Sequence, residues 1–476
     1  MIFRRSFRLI WQPLVVIGVT GVLYYLYHAW SYDDPYITYR YAQNLMHGLG
    51  FVYNPGEKIL STTTPLFALL LGLAGQLWPS IPQLAVFIGS LSIGFAAVLM
   101  LNLAKVWGHP IAGWVSMPLL ATFGLLSITL SSETPLYIAL GLSVLYTYTV
   151  RRYSLFGFFS ALMILTRPDG ALLPIILGLH FLIKVREPLP WKEMVIFALV
   201  SLLGWGALWA YFGSPIPVTL AAKQHQGTMA ISQSFAQGLW TILGWYRAQI
   251  YFLAECALAL LGLVYLFQKK SMAILLVGWT LLYFASYSLL GVTRYFWYYA
   301  PLVPGFVFLV GAGVEAIYYW IARGRRSNIL ALAISGLIVT GFFFFQLRHI
   351  YRQSFDRDQR IPLYAATGKW IRENTPAESK VAAVEVGAIG YYSQRYIVDF
   401  AGLIQPDVAR QMKSDSTYLD TAIYAVDRYN PDYLVVYEGF VKPLTDHSRR
   451  PCRQEVVFSG TDYGVDQDLW ILHCTP

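Results

Sequence analysis

The feature that most constrains this chain is a succession of apolar runs filling its first 350 residues. They cover about 12–30, 82–104, 110–130, 133–150, 154–167, 170–184, 192–212, 249–267, 272–290, 297–320 and 328–347. A bilayer core about 30 Å thick asks for roughly 20 apolar residues per helical crossing. Lipid leaves helices as the only way for isolated segments to satisfy their own backbone. The runs therefore read as eleven transmembrane helices, two of them short. Composition agrees: 56% of residues are hydrophobic and 13% charged, against roughly 45–50% and about 25% in soluble domains. Aromatic residues make up 16% of the chain, and amphipathic rings favour the membrane–water boundary. The net charge of +9 needs no nucleic-acid partner, because cytoplasmic loops rich in Lys and Arg produce it.

Loop charge orients the helices. The N-terminus, "MIFRRSFR", is basic, and no small-residue cleavage site precedes Asp33, so the first run reads as a retained helix with its N-terminus inside. The segment "TPLFALLLGLAGQLW" (64–78) is short and carries no basic residue. If it does not cross, Lys105, Arg151, Arg152, Lys184, Arg186, Lys192, Lys269, Lys270, Arg323, Arg325 and Arg326 all lie inside; if it crosses, all move outside. The positive-inside rule selects a re-entrant or interfacial helix on the outer face. An odd number of spans then places the C-terminus outside, in a multi-pass plasma-membrane protein.

Under this topology the polar islands "SYDDPYITYR", "SSETP", "TRPDG", "PIPVTLAAKQHQ" and "GVTRYFW" share the outer ends of the spans. They bring Asp33, Asp34, Glu133, Arg167, Asp169, Lys223 and Arg294 to one membrane–water boundary, where ionisable groups are costly unless paired, solvated or functional. Beyond residue 350 the composition becomes that of a soluble α/β domain. "IPLYAATGKWIRENTP" has helical spacing, while "KVAAVEV", "RYIVDF", "DYLVVYEG" and "QEVVF" are strand-like. The expected division is 1–350, membrane and catalytic, and 351–476, extracytoplasmic. Cys452 and Cys474 fall in the second part, as a disulfide or as two unpaired thiols.

An acid pair just outside the first helix suits deprotonation of a hydroxyl, and adjacent cations suit a departing phosphate. Such a site, at membrane depth on a face without nucleotide sugars, suggests group transfer from a phosphate-linked lipid. The blocks "DDPYITYRYAQNLMHGLGFVYNPGEKILSTTTPLFALLL", "SSETPLYIAL", "TRPDGALL", "PVTLAAK" and "EVGAIGYYSQRYIVDFAGL" resemble, in matching order, the GT-C polyprenyl-phosphate-sugar glycosyltransferases, and most of all the branch of terminal arabinofuranosyltransferases. The resemblance implies a GT-C fold with outer interfacial helices, a polyprenyl-phosphate-linked sugar donor, inversion at the transferred carbon, and a glycan, lipid or protein acceptor. It implies Asp33 as general base and Asp34 as the residue that orients Asp33, binds a sugar hydroxyl or holds a divalent cation, a cofactor left open. Arg40 would support the loop or the phosphate. Glu133 matches the acid of a "METP"-like segment that here reads "SSETP". Arg167 and Lys223 match positions suited to the lipid-linked phosphate, Asp169 belongs to the same donor-binding set, and Arg294 stands where a basic residue often follows the late outer loop.

Simpler readings stand beside these. Paired Asp residues can solvate a helix end, Arg167 and Asp169 can form a turn with an ion pair, Lys223 can snorkel, and Arg294 can sit in an aromatic belt. His28 and His225 have no metal-ligand spacing, and the glycines of "HGLGF" and "EVGAIGYYS" read as turn or folding residues. A transporter or flippase of lipid-linked glycans would carry its charges nearer mid-span and show internal repeats. A non-enzymatic envelope scaffold would not need clustered acids and bases.

Overall fold

A computed structural model describes residues 2–78, 80–229, 232–322, 325–413, 415–448 and 450–475, with residues 2–9, 325 and 326 as backbone alone. Arg323 and the side chains of the N-terminal basic cluster, Arg325 and Arg326 lie outside the described residues. Among the described residues, seven helical segments are long and apolar enough to cross a membrane: Ile10–Tyr27, Ile81–Val106, Pro168–Val185, Trp191–Phe212, Ile250–Lys269, Phe296–Ile321 and Ser327–Gln353. Four shorter helices, Pro110–Ala121, Thr134–Thr149, Tyr153–Thr166 and Ile274–Leu290, occupy the remaining apolar runs.

Burial sorts these helices into layers. Ile81–Val106 and Phe296–Ile321 form the interior, whereas Trp191–Phe212 turns nearly all of its surface outward, with Leu202, Leu203 and Trp209 more than half exposed. So greasy an exterior is stable only in lipid. Without a hydrophobic drive between helices in lipid, close packing must hold them together. Gly262 and Gly313 provide it: a Cβ at either would run into the backbone of Leu309 or Leu258 on the facing helix.

The segment from Thr64 forms a ten-residue helix, Pro65–Ala74, and a short 3₁₀ turn. Ten residues rise about 15 Å, half a bilayer core, so this helix does not cross by itself. It lies against the helix Asp34–Met46, where Gly72 meets Leu45 and the Ala42 carbonyl.

Past Gln353 the chain builds a five-stranded sheet: β1 Lys380–Ala383, β2 Tyr396–Asp399, β3 Tyr433–Tyr437, β4 Cys452–Phe458 and β5 Leu469–Cys474, in the order β2-β1-β3-β5-β4. β1 runs parallel to both β2 and β3, while β5 is antiparallel to β3 and β4. β5 is the strand that the sequence pattern did not yield; its Leu-Trp-Ile-Leu run lacks alternation. A disulfide joins Cys452 to Cys474, which face each other across β4 and β5. One apolar core runs from Tyr36, Tyr39, Phe51 and Tyr53 in the first polar loop into Leu363, Val381, Ile389 and Ile397 of the sheet region. The sheet is therefore packed onto that loop.

Candidate active site

Pro35 starts the helix Asp34–Met46, where its missing N–H costs no hydrogen bond. Asp33 sits at the N-cap but makes no capping bond. Its carboxylate reaches the sheet region instead, accepting hydrogen bonds from the backbone N–H of Gly387 at 2.8 Å and of Ala388 at 2.7 Å. Burial and, to a smaller extent, Asp34 push the Asp33 carboxyl up to about 6 against the lowering effect of those two amides.

Asp34 faces the other way. Its Oδ2 accepts a 2.7 Å bond from Nζ of Lys223, which stands on the helix Val218–Thr228 and is 5% exposed. The ammonium also lies 4.8 Å from the ring centre of Tyr295, 5.5 Å from that of Trp297 and 5.4 Å from that of Tyr298. Burial pulls Lys223 down, but Asp34, Tyr298 and Tyr295 outweigh it and hold the ammonium well above its ordinary value. Two of its three N–H donors remain beyond the bond to Asp34.

Two cavities meet here, and Tyr32, Asp34 and Trp297 line both. The first, of about 250 Å³, lies between the spans and is lined by Asp34, Glu133, Arg167, Asp169 and Lys223. The second, of about 410 Å³, opens between membrane and sheet regions and is lined by Asp33, Asp34, Arg294, Arg360 and Glu385. The structure thus brings Asp33, Asp34, Glu133, Arg167, Asp169, Lys223 and Arg294 around one pair of cavities.

Within the set, Arg167 differs from its expected use. Its guanidinium is bidentate to Asp169, bonds to Glu133 at 3.4 Å, and donates to the hydroxyls of Tyr283 at 3.0 Å and Tyr287 at 2.6 Å. So occupied a fork orders the cavity wall and leaves Lys223 as the cation with donors to offer a ligand. Arg40 stands apart from both cavities. It is buried at 2% exposure, lines neither cavity, and donates to Gln43 Oε1 at 3.1 Å and to the carbonyls of Tyr53 and Arg395 at 3.4 Å. The Arg40 side chain ties the first polar loop to the sheet region. Arg294 is exposed at the rim of the second cavity.

The acids do not suit a divalent cation. Asp34 is engaged by an ammonium that such an ion would have to displace, and the described residues contain no group of three His, Cys, Asp or Glu placed to hold a metal. Sequence reasoning missed Glu385, which follows β1 and lines the second cavity. Burial, followed by Asp33, pushes its carboxyl up to about 8, with Arg360 opposing. The visible signal was an acid directly after a strand, in "KVAAVEVG".

Residues 348–470 match a family described as Domain of unknown function (DUF8728). No curated protein matches the sequence. Among solved structures, ArnT from Cupriavidus metallidurans in its apo state superposes with a TM-score of 0.64 at 12% identity over 98% of both chains. The same protein bound to undecaprenyl phosphate gives 0.61 at 12% identity, again over 98% of both. The archaeal oligosaccharyltransferase AglB from Archaeoglobus fulgidus, in complex with an inhibitory peptide and a dolichol-phosphate, gives 0.57 at 15% identity over 90% of this chain and 69% of that one. The chain has the GT-C fold of these proteins: a polytopic helical membrane region followed by a small sheet domain.

Proposed function

We propose that the chain is a glycosyltransferase that moves a sugar from a polyprenyl-phosphate carrier to an acceptor hydroxyl on the outer face of the plasma membrane. The observation that carries this reading is the junction of the two cavities. One cavity is set between the spans, where a lipid-linked phosphate can reach Lys223; the other opens beside the sheet domain, where an acceptor can reach Asp33. The solved relatives bound to undecaprenyl phosphate and to a dolichol-phosphate support the choice of donor. The lysine and arginine clusters at the opposite ends of the helices support the outer placement, as does a disulfide of the kind that persists in oxidising compartments.

The residues divide the reaction as follows. Asp33 takes the proton of the acceptor hydroxyl while that oxygen attacks the anomeric carbon. The bond from that carbon to the phosphate oxygen breaks, and polyprenyl phosphate leaves with the electron pair, so the configuration inverts. Lys223, fixed by Asp34 and three rings, donates to the phosphate oxygens as charge builds on them. Asp34 orients Lys223 and meets the sugar, Arg167 holds Glu133 and Asp169 as the wall of the donor cavity, and Arg294 stands at the acceptor entrance. The sugar favoured by the sequence resemblance is arabinofuranose, with mannose the alternative donor to assay beside it. In proteoliposomes, Asp33→Asn should lower transfer by about 10²- to 10⁴-fold, the usual contribution of a positioned general base, with donor binding retained. Wild-type rates in that variant would exclude Asp33 from the chemistry.

A further inference from the structure

The turn that follows β1 is clamped onto the first polar loop. Gly387 and Ala388 donate to Asp33, and the carbonyl of Val386 accepts a 2.5 Å bond from the Tyr53 hydroxyl. Glu385 stands inside this clamped turn, half-buried and facing the second cavity. Among the described residues no hydrogen bond or ion pair engages its carboxyl, although Asp33, Asp34, Arg360, Asp358, Tyr364, Tyr418 and Tyr437 surround it electrostatically. A partly buried acid without a partner costs stability, and the fold retains this one at a wall shared with the general base.

Topology makes the same point independently. β1 is flanked by parallel strands on both sides, so the chain leaves it first toward β2 and later returns beside it as β3. In open α/β sheets, ligands bind outside the carboxyl ends of the parallel strands. Glu385 follows the end of β1, Ala401 and Leu403 follow the end of β2, and all three line the second cavity.

The lining also describes the ligand. Trp245, Tyr295, Phe296, Trp297 and Tyr418 offer flat apolar faces, whereas Asp33, Asp34 and Glu385 offer carboxyl oxygens. Of the two guanidinium groups, Arg360 is bidentate to Asp358 and Arg294 stands exposed at the rim. Rings for the C–H face of a sugar and acids for its hydroxyls suit a neutral glycan; a phosphorylated acceptor would meet three carboxyls.

We propose that Glu385 is a catalytic residue contributed by the sheet domain, binding a hydroxyl of a neutral sugar acceptor beside the hydroxyl that Asp33 deprotonates. This rests on the glycosyl-transfer reading above. The test uses full-length protein in proteoliposomes with radiolabelled polyprenyl-phosphate-sugar donors, a set of neutral octyl glycosides and their phosphorylated counterparts. Glu385→Leu should raise the KM for the neutral glycoside about tenfold or more, the effect of losing one strong hydrogen bond, with donor KM unchanged, whereas Glu385→Gln, which keeps a donor and an acceptor, should stay near wild type at neutral pH. Glu385→Asp should recover part of it. In wild type the acceptor KM should rise above about pH 8, where Glu385 ionises and loses its O–H donor, and this rise should vanish in Glu385→Gln.

An unchanged acceptor KM in Glu385→Leu, a parallel rise in donor KM, or wild-type preference for the phosphorylated glycosides would overturn the proposal. So would label released to water with no neutral glycoside accepted, or loss of folded protein in all three variants. Donor label that never leaves the carrier in wild type would instead sink the transfer reading, and this inference with it.

Discussion

Asp33 and Asp34 are adjacent in sequence and find different partners because the helix start turns them apart. Asp33 is held by two amides of the sheet domain, and Asp34 by the Lys223 ammonium. A base near 6 is ionised at neutral pH and still able to accept a proton. Because only the ionised form accepts, kcat/KM for transfer should fall as pH drops through about 6 and hold level between about 6 and 8; a flat profile from pH 5 to 8 would argue against Asp33 as base. Replacing Lys223 with Met removes the cation of the first cavity that still has donors to offer and leaves Asp34 unpaired. Donor KM should rise by about tenfold to a hundredfold, in line with a lost charge-assisted hydrogen bond, as measured by initial rates at saturating acceptor. Ionisable residues at membrane depth are legible in sequence because lipid makes them expensive. Arg40 shows the limit, since its spacing to Gln43 and the carbonyls it reaches depend on a loop path that no pattern discloses.

The short elements around the acids were harder to read than the spans. Pro65–Ala74 was legible as a segment that does not cross, because its length is half of what a bilayer needs. The glycines of "EVGAIGYYS" looked like folding residues, and Gly387 has a more particular place. A Cβ there would run into the backbone carbonyl of Asp33 and come within 2.6 Å of its Oδ2. Gly387→Ala should therefore push the turn off the first polar loop, at a cost of about 1–3 kcal/mol for an overpacked contact. A lower Tm with a matching loss of transfer is the expected result; an unchanged Tm would show that the two parts are not docked at this point. Glu385 escaped the sequence reading for a related reason. An acid after a strand is unremarkable in a soluble domain, and only docking of that domain turns it toward Asp33.

Taken whole, the molecule is a lipid-embedded helical body with a sheet domain fastened to its first polar loop by a shared core. Hydrophobic runs made the helical body legible, since apolar length has few uses outside a bilayer. The pairing of domain and loop was not, because contacts such as Asn54 with Ile397, or Tyr396 with Glu57, join residues more than 300 positions apart. The proposed sidedness has its own check. An alkaline phosphatase fused after the sheet domain should be active in intact cells and a fluorescent protein fused there dark; the opposite pattern would place the acids on the cytoplasmic face and remove the lipid-linked donor from reach.

The decisive experiment is transfer of radiolabelled sugar from synthetic polyprenyl-phosphate donors, arabinofuranosyl and mannosyl in parallel, by purified wild type and Asp33→Asn in lipid. Label that reaches an acceptor with wild type, and falls by at least about a hundredfold with Asp33→Asn, is the expected result and names the sugar. Equal transfer by the two proteins, or donors left intact by a folded wild type, would contradict the assignment of this site to glycosyl transfer.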